Sequence, residues 1–219
     1  MNIPFTVGQF LAVFQSYNQT IWPMQVTAYI MGIAAIYLAV RKSRHSDKII
    51  CGILALMWIW TGAAYHMAFF SSINKAAYAF GVLFITQGVL FIIYGIIKPG
   101  ISFKAAPAGI QAAGRVLIVY SMLVYPLIGQ FLGHGYPQSP VFGVTPCPVT
   151  IFTFGLLLWT EKMPKQILLV PLIWSLIGSF AALSLGIRED AGLLAAGIAG
   201  TLLILIKDRK LFIKNGSHA

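Results

Sequence analysis

The sequence predicts an all-α, polytopic membrane helix bundle of about seven transmembrane helices, with the N-terminus outside and the C-terminus in the cytoplasm. Three observations carry the prediction. Of the 219 residues, 58% are hydrophobic and 9% charged, whereas soluble domains carry roughly 25% charged residues. The 15 basic and 5 acidic residues leave uncharged stretches of 40 (1–40), 26 (49–74), 22 (76–97), 45 (116–160), 22 (166–187) and 16 (191–206), and a helix needs about 20 apolar residues to cross a bilayer. When successive loops are assigned to alternate sides, one side collects Arg41, Lys42, Arg44, Lys48, Lys98, Lys104, Arg115, Lys162, Lys165, Lys207, Arg209, Lys210 and Lys214. The other side holds only Lys75 and Arg188, and the basic side is the cytoplasmic one.

The elements follow in order. In residues 1–21, Val7, Phe10, Leu11 and Phe14 recur at helical spacing, and Thr6 with Gln9 has the spacing of a capping box. This segment reads as a short amphipathic helix on the outer surface. It contains no Lys or Arg, so it is not a cleaved secretory signal. A transmembrane domain over 22–207 follows, with spans near 23–41, 49–70, 77–97, 114–132, 147–160, 166–186 and 190–206, and then a basic cytoplasmic tail over 208–219. The 45-residue stretch holds two spans, because residues 133–146, GHGYPQSPVFGVTP, cannot continue a helix. On the last two spans Gly178, Ala182, Gly186 and Gly192, Ala196, Gly200 recur every fourth residue, a pattern that lets helix backbones meet inside lipid.

Two triplets of spans look alike. Pro23, Thr27, Tyr29 and Gly32 of the first span match Pro146, Thr150, Phe152 and Gly155 of the fifth. Trp58 and Gly62 match Trp174 and Gly178 in the spans that follow. A parallel repeat of three spans on either side of a linking fourth is one reading of these matches; coincidence in apolar sequence is the other.

Polar residues inside a span are costly and face the bundle interior or a water-filled cavity. Here they gather toward the outer half. Gln25 opens the first span, Tyr65 and His66 end the second, and His134 follows the fourth. Cys147 opens the fifth between Pro146 and Pro148, and Glu189 and Asp190 open the last. Gln87 lies near the middle of the third. Gln25, Tyr65, His66, Gln87, His134, Glu189 and Asp190 are therefore candidates for binding a ligand or ion. Each also has a structural reading. A membrane histidine or glutamine can bond a neighbouring helix, His134 can serve a turn, and the two acids suit a helix N-terminus. His66, His134, Cys147 and Glu189 together have the chemistry to hold zinc or another transition metal, although a lone buried Cys147 also packs as a small hydrophobe.

Absences narrow the field. No HExxH, GxSxG, Walker loop or GxGxxG is present, so no recognised catalytic or nucleotide motif supports an enzyme. Cys51 and Cys147 form neither a CxxC nor a disulfide framework. The net charge of +10 borders apolar spans instead of forming one basic face, which argues against nucleic acid and for the lipid bilayer as partner.

The segments YNQTIWPMQ (17–25), WTGAAYHMAFFSSIN (60–74), FGVTPCPVTIFTFG (142–155) and IREDAGLLAAG (187–197) carry a resemblance. Over nearly its full length the chain resembles a family of bacterial integral-membrane proteins known only as a domain of unknown function. The resemblance implies a multi-pass protein of a bacterial cytoplasmic (inner) membrane and supplies no catalytic residues. The leading expectation is a secondary permease or channel-like protein for a small solute or ion, with a polar site near the outer mouth. A metal-binding membrane enzyme or binding protein using the same cluster is the alternative. A membrane subunit or sensor that docks a partner is the third.

Overall fold

The structure, a computed structural model, describes residues 4–103 and 107–216, with side chains through Asp208. Lys104, the side chains of Arg209, Lys210 and Lys214, and the end of the expected tail lie outside it. Helix α1 (Val7–Thr20) starts at the expected capping box. The Gln9 amide donates to Thr6 Oγ1 at 3.2 Å, and the Thr6 amide donates to Gln9 Oε1 at 2.9 Å. At Pro23 the chain bends by 85° into α2 (Met24–Val40), so α1 lies across the end of the bundle. Helix α3 (Ser46–Trp60) continues through a π-helical stretch (Thr61–Phe69) to Ser72, and α4 (Ala77–Phe91) ends in a second π-helical turn at Ile97. Helices α5 (Ala108–Val119) and α6 (Tyr125–Phe131) are joined by a third such turn into one rod. Next come α7 (Pro146–Leu157), α8 (Leu169–Ser184) and α9 (Ala191–Gly216).

Five helices are long and apolar enough to cross a membrane, or six with the bent α1–α2 pair as one span. The architecture is that of a multi-pass membrane protein. Seven full crossings are not what the structure contains, because α7 has 12 residues and reaches about 18 Å at 1.5 Å per residue. It is instead the axis of the bundle, and every residue from 139 to 160 is buried. The chain still changes ends over this segment. His134 pairs with Glu189 at the start of the last helix, and Thr160 accepts a hydrogen bond from Lys207 near its close.

Residues 139–145 precede α7 without regular helix, and backbone polar groups at membrane depth survive only where protein satisfies them. Helix α1 supplies the donors. Asn18 Nδ2 donates to the carbonyls of Pro137 (2.7 Å) and Ser139 (2.8 Å), and Tyr17 Oη donates to that of Val144 (2.7 Å). The segment expected to lie flat on the surface is thus also a clamp on the central element.

Helices α3 and α4 pack through a glycine seam. A Cβ at Gly62 would come within 2.7 Å of the Gly81 carbonyl, one at Gly88 within 2.9 Å of the Ala55 carbonyl, and one at Gly95 within 2.4 Å of Cys51 Sγ. Gly81, Gly88 and Gly95 recur every seventh residue, the period of a left-handed helix pair. Helices α8 and α9 touch as expected, and of the expected stripes Gly178 faces Leu193 across the contact. Gly197 lies against Ser175, whereas Gly192 makes room for Tyr120 and Gly200 for Phe154. The two helices proposed as repeats differ in setting, since α7 is wholly buried while α2 exposes Val26, Ile30, Ile33 and Tyr37.

One end of the bundle carries a feature that the sequence reading lacks, a small antiparallel pair of strands. Strand β1 (Ser102–Phe103) pairs with β2 (Thr160–Lys162). Lys42 braces it through Asp47 (3.2 Å), Ser102 Oγ (2.9 Å) and the Phe103 carbonyl (2.8 Å). The basic loops lie at this end.

Candidate functional site

The opposite end holds a cavity of about 280 Å³. It is lined by Pro4 and Phe5 ahead of α1, by Asn74 and Ala76 in the α3–α4 corner, by Leu185 after α8, and by the exposed Ile177 and Phe180 of α8. Its wall is aromatic. Phe10 and Phe14 come from α1, Tyr65 and Phe70 from the end of α3, Phe80 from α4 and Trp174 from α8. Phe14 and Phe70 stack against the Tyr65 ring at 5.1 and 5.7 Å, and Phe80 meets Trp174 edge-on at 5.4 Å. Such pairs hold ring orientations beyond what area burial alone provides. From Leu185 to Trp174 the wall on α8 descends about 16 Å at helical rise.

The polar groups sit low in this cavity. Cys147, the second residue of α7, and Asp190, the last residue before α9, both line it. Tyr125 Oη donates to Asp190 Oδ1 at 2.6 Å, and the Cys147 thiol donates to Oδ2 at 3.5 Å. Ser179 Oγ holds the Asp190 carbonyl at 3.4 Å. Asp190 is 3% exposed, and among the described residues no Lys, Arg or His pairs with it. The indole N–H of Trp174 is buried without an acceptor and belongs to the same wall. The cavity is therefore an apolar box with Asp190 and Cys147 as polar groups in its lining.

The polar residues expected to converge divide into separate groups. Tyr65, Cys147 and Asp190 meet in the cavity. His134 and Glu189 form a pair beside it, with Nε2 and Oε1 2.8 Å apart, and Tyr120 Oη donates to the Glu189 carbonyl at 2.6 Å. His66 lies behind the wall, ringed by Phe84 (4.7 Å), Trp174 (5.0 Å) and Phe80 (5.9 Å), with both ring nitrogens unpartnered. The π-helical stretch explains how the adjacent residues Tyr65 and His66 are both buried, since a π turn widens the helix and shifts its register. Gln25 and Gln87 have scaffold positions. Gln25 Nε2 donates to the Asn18 carbonyl at 2.7 Å across the α1–α2 bend, and Gln87 Nε2 donates to the Ile167 carbonyl at 3.1 Å below α8.

The metal set of His66, His134, Cys147 and Glu189 does not assemble. Among the described residues no three His, Cys, Asp or Glu side chains form a group that could hold a metal ion. Cys147 is turned to Asp190, His134 to Glu189, and His66 to hydrocarbon, so the four candidates have three different neighbourhoods.

Sequence reasoning passed over Phe80 and Tyr125 and read Phe14 only as the apolar face of a surface helix. The signal was available for the aromatics, because α1, the end of α3, the start of α4 and the α8 midpoint all place rings toward one end. Nothing local marks Tyr125 as the partner of a residue 65 positions away.

The model of a family of unknown function (DUF6064) matches residues 7–215. The chain belongs to this family. The match includes every helix that builds the cavity, leaving only Pro4 and Phe5 of the lining outside it. No curated protein and no solved structure matches the chain.

Proposed function

We propose that the protein is a secondary permease for a small, largely apolar solute, and that the aromatic cavity over Cys147 and Asp190 is its substrate site. The observation that carries this reading is the depth of the cavity. It descends from the end opposite the basic loops to the start of a half-length central helix, where a buried carboxylate faces it. Carriers place substrate sites near the midplane, beside discontinuous helices whose irregular backbone is sheltered by protein. Helix α7 with its non-helical approach fits that arrangement.

The charge asymmetry orients the molecule. Basic loops stay in the cytoplasm, so the β1–β2 end faces inward, the cavity opens outward, and α1 lies at the outer interface. A bacterial cytoplasmic membrane is the setting that the family resemblance implies. The His134–Glu189 pair holds the outer loop to the last helix beside the substrate, and movement of that loop would open or close the mouth.

Uptake into proteoliposomes tests the proposal. A panel of small amines, alcohols, carboxylic acids and aromatic amino acids is offered to vesicles containing wild-type protein or Ala181→Trp, which fills the cavity from its α8 wall. At least one compound enters wild-type vesicles faster than empty ones, and the variant returns to the empty-vesicle rate while keeping its elution profile and melting midpoint. Uptake that never exceeds that of empty vesicles, or that survives Ala181→Trp, overturns the reading.

A further inference from the structure

Eight aromatic side chains around one carboxylate make an unusual lining for a cavity that would otherwise suit any greasy molecule. The face of an aromatic ring is electron-rich and attracts cations, more strongly when water is excluded. An anionic group at membrane depth is retained only when something compensates it. For Glu189 the compensation is visible, because His134 lies 2.8 Å away. For Asp190 no cationic side chain is present among the described residues. Its Oδ1 takes the Tyr125 hydroxyl at 2.6 Å, but Oδ2 has only the thiol of Cys147 at 3.5 Å, and both Asp190 and Cys147 line the cavity. Oδ2 is thus left with one weak donor, in a residue that shares the cavity lining with the rings of Phe14, Tyr65, Phe80 and Trp174.

We infer that the cavity selects small organic cations, amines or quaternary ammonium compounds, with the charged nitrogen over Asp190 and the hydrocarbon against the rings. The inference rests on the cavity being the substrate site and specifies what the site accepts. The ligand supplies the counter-charge that the protein lacks. Its nitrogen sits near Oδ2, and its substituents meet ring faces in place of water. A volume of about 280 Å³ limits the ligand to roughly one ring or a few short alkyl groups, since drug-sized ligands occupy about 300–1,000 Å³.

Two probes of nearly equal shape separate charge from greasiness. Phenyltrimethylammonium carries a fixed positive charge, and 2-phenyl-2-propanol replaces the cationic head with a neutral alcohol. Equilibrium dialysis against wild-type protein in nanodiscs, with empty nanodiscs subtracted, is expected to show the cation binding at least about tenfold more tightly. Asp190→Asn removes that preference, weakening the cation far more than the alcohol, and its elution profile and melting midpoint report that the variant is folded. If Asp190→Asn binds neither probe, Phe80→Leu provides the second measurement, and loss of a wall ring must weaken the cation more than the alcohol. Equal binding of the two probes to wild type, or tighter binding of the alcohol, overturns the cation inference and leaves the permease reading standing. Binding of neither probe to wild type overturns the inference as well, and the proteoliposome panel then judges the permease reading separately.

Discussion

His134 Nε2 lies 2.8 Å from Glu189 Oε1, joining the loop after α6 to the turn that opens the last helix across 55 residues of sequence. Glu189 is 1% exposed and its Oε2 has no partner, so His134 is the only side chain among those described that bonds this carboxylate. Removing one partner of a buried pair exposes the other to its full desolvation penalty, about 1–3 kcal/mol or more for a charged group. His134→Ala is therefore expected to lower the melting midpoint of the detergent-solubilised protein by on the order of 5 °C. His134→Gln, which retains a donor, recovers part of the loss. A midpoint unchanged in His134→Ala would show that the pair contributes nothing to stability.

His66 leads to the opposite expectation. Both ring nitrogens are buried without partners, and the ring sits among Tyr65, Phe70, Phe80, Phe84 and Trp174. Replacing an unsatisfied polar group by an apolar one of similar volume is nearly neutral or stabilising. His66→Leu should stay within about 1.5 kcal/mol of wild type and should leave uptake in proteoliposomes intact. Abolished uptake with preserved folding would return His66 to the site as a working group.

The α3–α4 seam makes a third prediction. At Gly95 an added methyl group would lie 2.2 Å from Cys51 Cβ, and neither helix can separate without opening the rest of the seam at Gly62 and Gly88. Gly95→Ala is expected to cost about 1–3 kcal/mol through overpacking, despite the better helix propensity of alanine. Combined with Cys51→Gly, the same substitution should cost less than the sum of the two single changes, because neighbouring residues couple. Thermal unfolding of the four proteins of the cycle measures this, and strict additivity would contradict the contact.

Much of the fold was legible because its signals are local. Thr6 and Gln9 lie three residues apart, so their mutual bonds could be read from spacing alone. The ends of α3 and α4 could be read from runs of uncharged residues. The position of α7 was legible, since a span near 147–160 was expected, but its failure to cross was not. Hydropathy reports that residues 139–160 avoid water, and it does not distinguish a helix that reaches both faces from an extended lead-in followed by a short helix. Four prolines, at 137, 140, 146 and 148, marked the irregular stretch, but their placement inside the bundle depends on Asn18 and Tyr17, more than a hundred residues earlier. The glycine seam at 81, 88 and 95 was readable at a period of seven, whereas the period-four stripes evident in the sequence lie on the last two spans.

The candidate site was legible as chemistry but not as geometry. Tyr65, Cys147 and Asp190 could be chosen as polar residues in apolar spans, and the same criterion also chose Gln25, Gln87 and His66, which serve packing or stand apart from the cavity. What the sequence by itself determined is the solvent this chain requires, the positions of its helices and the asymmetry of its loops, since hydrophobic burial and charge placement depend on composition along short windows. What only the tertiary structure decided is which polar groups share a space. Asp190 meets Tyr125 and Cys147, and Glu189, one residue away, meets His134. Consecutive residues in a tight turn point to different neighbours, and helix packing selects those neighbours from anywhere along the chain.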